Sequence, residues 1–341
     1  MTINLGIIGA GRVGRLHANT LTTRIPGARV LAVADIFEEA AKSAAAANGI
    51  PDFTTDPSEL IGSGDMDAIV ICSSTDTHCR FIIEAARAGV QIFCEKPIAF
   101  DLTEIDEALT AVDEAGVQLQ IGFNRRFDAN HARVKGAIER GEIGEPHTMT
   151  IISRDPSPPP IDYIKASGGL MMDMMIHDFD LSRFLLGEAE EIYALGDVKV
   201  DPAIGEAGDI DTAKVMLRFE NGAFGSSENS RQAVYGYDQR VEFFGCSGAA
   251  TTGNWQPNAV TISDAASVRR DLPLHFFVER YFESYVTEMI AFVDAIANGK
   301  TVPVAGNDGR VPVVMAMAGM RSLRENRPVR LDELGAGQDR G

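Results

Sequence analysis

Short runs of nearly continuous apolar residues punctuate the first third of the chain, at Ile3–Ile8 and at residues 29–34, 68–72, 90–94 and 118–122. Strands buried on both faces read this way, because neither face can carry polar side chains. Between them, residues 81–88 and 104–115 place apolar side chains at helical spacing. The alternation predicts βαβ units building a parallel sheet with helices on both sides.

After Gly122 the texture changes. A helix is predicted over residues 132–140 and a strand over 147–153, then a stiff stretch, residues 155–162, contains Pro156 and Pro158 to Pro160. Helical spacing returns from about Gly169 and stops at Gly187, where glycine can take the left-handed conformation that ends helices. Strand candidates then follow one another at Thr212–Phe219, 223–229, 240–245 and 259–263, separated by turns such as Glu220-Asn221-Gly222. Successive strands without interposed helices imply an antiparallel sheet. Its open face would expose apolar area, so a second subunit is expected to cover it. Helices are predicted over 281–298, ended by Gly299, and over 311–324 after a loop holding Gly306 and Gly309. The fold class is therefore α/β: a Rossmann dinucleotide-binding domain over 1–123, then an α+β domain over 124–341 for substrate binding and oligomerisation. The latter carries a large open, mainly antiparallel sheet, and helix 311–324 is expected to pack back on the first domain.

Composition adds exclusions. The 341 residues hold 31 Lys and Arg against 49 Asp and Glu, a formal charge of -18. That balance disfavours any partner bound through many phosphates, so nucleic acid is not an expected ligand. Cys72, Cys79, Cys94 and Cys246 lack close pairing and read as buried, reduced thiols. The N-terminal sequence runs straight into a strand and a glycine loop, with no leader-like segment and no run of eighteen apolar residues, so a cytoplasmic protein with no membrane partner is expected.

Gly9, Gly11 and Gly14 form G-x-G-x-x-G between a strand and a helix candidate. In that context the first glycine allows the tight turn, the second lets backbone approach a pyrophosphate, and the third lets helix pack on strand. Asp35 ends the second strand 35 − 14 = 21 residues after Gly14, where a carboxylate can accept from adenosine ribose hydroxyls and would repel a 2′-phosphate. Ile36 and Phe37 supply no guanidinium, which favours NAD over NADP; Arg12 and Arg15 are the residues that could reverse that preference.

Glu95-Lys96-Pro97 follows a sheet strand at its carboxyl end, where an ammonium can stabilise oxygen carrying negative charge. Asp173, His177 and Asp180 stand at i, i+4 and i+7 in GGLMMDMMIHDFD, so on a regular helix two carboxylates bracket one imidazole. That grouping suits a general base oriented by a carboxylate. A satisfied core histidine with capping aspartates, or a metal site, has the same residue types. The other histidines, His17, His78, His131, His147 and His275, lack ligand spacing, and no metal is expected.

The order GAGRVG, CEKP, GFNRRFD, GGLMMDMMIHDFD resembles the Gfo/Idh/MocA oxidoreductase family along essentially the whole chain. Residues 122–128, 153–165, 176–187 and 235–240 resemble its inositol 2-dehydrogenase branch. The resemblance implies NAD-dependent oxidation of myo-inositol to the 2-keto inosose, a small polyol substrate and a homotetramer. It implies that Lys96 binds the reacting hydroxyl, His177 removes its proton and Asp173 holds the two in register. Arg125, Asp155, Asp180 and Tyr237 would contact the other hydroxyls. Arg12, Val13, Ile36, Ser73, Ser74, His78, Glu95, Lys96 and Arg125 would join the glycines and Asp35 along the cofactor. Asn124 and Asp155 stand where members vary, which bears on isomer preference. Rival readings are the same chemistry on another inositol isomer or a pyranose, a nucleotide-bound sensor without catalysis, and a tightly held cofactor serving a net hydrolysis or isomerisation.

Overall fold

The computed structural model describes residues 1–335; the end of the expected second domain, residues 336–341, lies outside them. The chain divides into two compact units, Met1–Phe127 with Glu283–Val311, and Asp128–Phe282 with Pro312–Gly341.

In the first unit, strands β1 (Ile3–Ile8), β2 (Ala28–Ala34), β3 (Asp52–Thr54), β4 (Ala68–Ile71), β5 (Gln91–Glu95) and β6 (Leu119–Gly122) form a sheet in the order β3-β2-β1-β4-β5-β6. Every pairing is parallel. The order reverses at β1, and the crevice beyond the carboxyl ends of β1 and β4 is where such sheets receive ligands. Ile3, Leu5, Ile7, Val33, Val70 and Phe93 belong to the hydrophobic core of this unit together with Met289, Phe292 and Val293, which come from the second half of helix Phe277–Asn298. The Gly306–Glu325 helix begins earlier than glycine content suggests. A Cβ on Gly306 would meet Leu109 at 2.3 Å, and one on Gly309 would meet Ile98 at 2.5 Å, so these glycines serve helix packing rather than a loop.

The second unit holds β7 (Pro146–Arg154), β8 (Ala189–Asp197), β9 (Thr212–Phe219), β10 (Phe224–Ser230), β11 (Asp238–Gly245), β12 (Gly248–Thr252) and β15 (Val329–Arg330), ordered β12-β11-β7-β10-β9-β8-β15, while β13 (Thr261–Ser263) and β14 (Val268–Arg270) form a separate hairpin. The sheet is mainly antiparallel, as expected, with one exception: β7 and β10 pair in parallel, because β7 arrives from before the intervening helices rather than through a hairpin. The remaining pairings are antiparallel. One face of this sheet is buried; on the other, Leu195, Met216, Phe224 and Phe244 are exposed. Helix Ala129–Glu139 starts before the expected residue 132 because Asp128 caps it, accepting from the backbone N–H groups of Asn130 and His131.

The cysteine expectation holds in part. All four are free, and burial pushes the Cys79 thiol up to about 12 and raises Cys72 and Cys94 as well. Burial is corrected at two of them: Cys246 is exposed, in the turn between β11 and β12, and Cys72 is only partly buried. No helix among the described residues is long and apolar enough to cross a membrane.

Candidate active site

The glycine loop is built by close contacts. Gly9 sits at φ +100°, and a Cβ on it would lie 2.5 Å from the carbonyl oxygen of Cys72, at the end of β4. A Cβ on Gly14 would lie 1.9 Å from the Gly9 oxygen, whereas one on Gly11 would meet nothing within 4 Å. Gly11 thus faces open space at the start of helix Arg12–Arg24, where unpaired N–H groups favour an anion. Asp35 locks the loop: its Oδ2 accepts from the Ala10 N–H at 2.7 Å and its Oδ1 from the Phe37 N–H at 2.9 Å. Ile36 and Phe37 beside it are largely exposed, and Arg12 is exposed while Val13 is half-buried. Arg15 is engaged against the loop and the next helix, donating to the Ala10 and Ala40 carbonyls and to Ser43. These features fit a dinucleotide.

At the end of β4, Ser73 pairs with Thr77 through their hydroxyls at 2.7 Å, and Ser74 is exposed. His78 is buried, with Nδ1 2.9 Å from the Pro97 carbonyl and Nε2 3.0 Å from that of Ser73. Burial, the largest influence, lowers its pKa, against the pull of those carbonyls. Its ring is committed to the backbone on either side, tying the Ser73 turn to the cis Lys96–Pro97 peptide. Lys96 itself is half-buried at the end of β5, and Arg125 is buried.

Sequence spacing scattered the histidines, but the fold brings His17 to Glu95: Nε2 lies 2.6 Å from Oε1, and the ring meets Phe93 and Tyr285 edge-on. Glu288 completes a trio whose candidate ligand atoms lie within 4.8 Å of one another.

In the second unit the expected helical face is altered. Met171–Met175 is wound as a π-turn before helix Ile176–Leu186, a distortion that often marks functional sites. The regular i, i+4, i+7 register is thereby broken. Asp173 and His177 remain half-buried, while Asp180 is fully buried. Asp155 is half-buried and its backbone bridges Ser230 and Ala233; Tyr237 is buried edge-on to Phe276 and Tyr281.

Several residues here escaped the sequence reading. Asp173 Oδ1 accepts from the Tyr163 hydroxyl at 2.8 Å and Oδ2 from Arg231 at 3.2 Å. Asp178, buried between the two named motif positions, accepts from Ser153 at 2.7 Å, Ser227 at 2.6 Å and Asn229 at 2.5 Å, docking its helix onto β7 and β10. Helical spacing does not single out Asp178; only the pairing of β7 with β10 supplies its donors. Asp178→Ala should strip these donors of their acceptor and lower stability by roughly 3 kcal/mol, read as a lower denaturant midpoint, with Asp178→Asn losing less.

A parallel six-stranded sheet with a glycine-rich turn at its switch point, joined to an α+β unit, defines a dinucleotide-dependent enzyme class. Residues 3–123 match the model for the oxidoreductase family NAD-binding Rossmann fold, and residues 131–251 match the GFO/IDH/MocA C-terminal domain. An uncharacterized oxidoreductase of Bacillus subtilis is 49% identical, over 96% of this chain and 96% of its own. The myo-inositol 2-dehydrogenase of Thermotoga maritima is 44% identical, over 97% of this chain and 99% of its own. The crystal structure of scyllo-inositol dehydrogenase from Lactobacillus casei with bound NAD(H) and scyllo-inositol superposes with a TM-score of 0.91 at 28% identity, covering 97% of this chain and 100% of that one. The chain belongs to the Gfo/Idh/MocA oxidoreductase family, and its cofactor is NAD.

Proposed function

We propose that this enzyme is an inositol 2-dehydrogenase that oxidises myo-inositol at one ring hydroxyl to 2-keto-myo-inositol. The observation that carries the reading is Asp173, half-buried like His177 four residues on in an otherwise buried segment, with both carboxylate oxygens accepting from donors. The full-length similarity to the Thermotoga maritima enzyme supplies the substrate class.

When bound, NAD supplies the hydride acceptor. Gly9, Gly11, Arg12, Val13 and Gly14 would hold its pyrophosphate, Asp35 its ribose, and Ile36 its adenine side. Ser73, Ser74 and Glu95 would border the nicotinamide, with His78 positioning the Ser73 turn. Lys96 donates to the oxygen of the reacting hydroxyl and stabilises the negative charge that develops there as the hydroxyl proton is lost, before the hydride leaves the adjacent carbon. His177 receives the hydroxyl proton, and Asp173 orients the imidazole and favours its cationic form. Arg125, Asp155, Asp180 and Tyr237 would pair the remaining hydroxyls, each of which is costly to desolvate without a partner. The exposed residues Leu195, Met216, Phe224 and Phe244 support a second subunit covering the outer sheet face; the homotetramer and the cytoplasmic location are carried by the family resemblance alone.

A panel of myo-, scyllo- and chiro-inositol and glucose, followed by reduced-nicotinamide absorbance, tests this. Turnover is expected with NAD and to be fastest with myo-inositol. A different preferred inositol would move the isomer assignment, and no turnover with any inositol would end the reading.

A further inference from the structure

We infer that Arg231 is a positioning residue that fixes the carboxylate of Asp173, with Tyr163 as its second anchor. The inference rests on the proposed role of Asp173 and extends it to groups that were not assigned from sequence.

Arg231 is among the largest fully buried side chains, at the end of β10 where its backbone N–H donates to the Asp211 carbonyl. A buried guanidinium is costly unless carboxylates answer its charge. Two do so: Asp173, through Nη1 at 3.2 Å, and Asp209, whose Oδ2 is 3.7 Å from Nη2. Asp209 is itself anchored, accepting the Leu170 N–H through both oxygens at 3.1 and 3.0 Å. Leu170 immediately precedes the π-turn carrying Asp173. A Cβ on Gly169 would lie 2.6 Å from Asp209 Oδ1, so glycine is what lets that carboxylate reach the turn.

The arrangement is therefore a short chain of charges. Asp209 pins the entry to the turn, Arg231 bridges from Asp209 to Asp173, and Tyr163 closes the other oxygen of Asp173 from helix Ile161–Ala166. Tyr163 is half exposed, and the desolvation of its phenol, followed by the neighbouring Asp173 charge, raises its pKa, so the hydroxyl stays a donor. With each oxygen held from a different element, the carboxylate cannot rotate freely, and its orientation is set before substrate arrives. Such preorganisation lowers the cost of reaching the transition state without adding substrate affinity.

The test is a double-mutant cycle in the full-length enzyme, with Arg231→Gln, Asp173→Asn and the pair. Arg231→Gln should lower kcat about 100-fold, with KM for the polyol and the NADH dissociation constant each within about threefold of wild type. Arg231→Lys, which keeps the charge and loses the planar fork, should recover part of the loss. In the Asp173→Asn background the same Arg231→Gln change should cost less than about threefold, because the residue it acts through is already altered. Tyr163→Phe, which keeps the ring and removes one donor, should lower kcat several-fold and remain informative if Arg231→Gln does not fold. Additive losses in the cycle, or wild-type kcat for both folded Tyr163→Phe and Arg231→Lys, overturn the positioning role. A wild-type enzyme that oxidises no polyol sinks the functional reading instead. The cycle is then read in thermal unfolding, where additivity of the two substitutions would overturn the pairing itself.

Discussion

His177→Ala is expected to reduce kcat for inositol oxidation by roughly three orders of magnitude, within the range a positioned general base contributes. Lys96→Ala is expected to cost on the order of 10²-fold, the usual loss of one donor to a developing oxyanion. In both variants NADH should still bind, because the glycine loop and Asp35 that would hold the dinucleotide are untouched. The effect of His177→Ala is the sharper test, since added imidazole should restore part of the rate if the missing group is a base and none if the loss is structural. Initial rates of nicotinamide reduction with and without imidazole, set beside NADH binding by fluorescence, decide it. Wild-type turnover in folded His177→Ala would remove the base from the mechanism.

Much of the first unit was legible because its signals are local. Apolar runs mark doubly covered strands whatever their partners, and G-x-G-x-x-G carries its own steric logic. Strand β3 escaped because it is an edge strand of three residues, largely exposed. Strand β8 escaped for a different reason: a register shift between Ala189 and Glu191 breaks the two-residue alternation that marks a strand. Gly306 and Gly309 read as loop because glycine lowers helix propensity, yet tertiary packing against Leu109 and Ile98 outweighs that preference.

In the candidate site, residue types were readable and their partners were not. Asp173 and His177 announced themselves by spacing, but a π-turn has no pattern that helical periodicity detects, so the regular spacing that put Asp180 on the same face does not hold across it. Arg231 lies 58 residues from Asp173, and Glu95 lies 78 from His17. Only strand pairing and helix docking close those distances. Buried polar groups need partners, so each such pairing was required in kind, but the sequence does not say which distant residue supplies it.

The glycine loop offers the second large effect, and a pair of substitutions separates packing from ligand approach. In Gly14→Ala the new methyl would sit 1.9 Å from the Gly9 oxygen and 2.9 Å from its carbon, both backbone atoms, so the loop must shift. Gly9 donates to the Ala34 carbonyl, and the next N–H, that of Ala10, binds Asp35; the shift therefore reaches the carboxylate meant for the ribose. NAD affinity should fall on the order of 100-fold, and the overpacked loop should cost about 1–3 kcal/mol of stability. Gly11→Ala meets no atom within 4 Å and should leave thermal stability unchanged. Its methyl points into the space a pyrophosphate would use, so NAD affinity should still drop at least tenfold. Calorimetric titration with NAD and thermal unfolding of both variants give the four numbers needed. A Gly11→Ala protein that binds NAD like wild type would show that the dinucleotide does not approach the backbone at this loop.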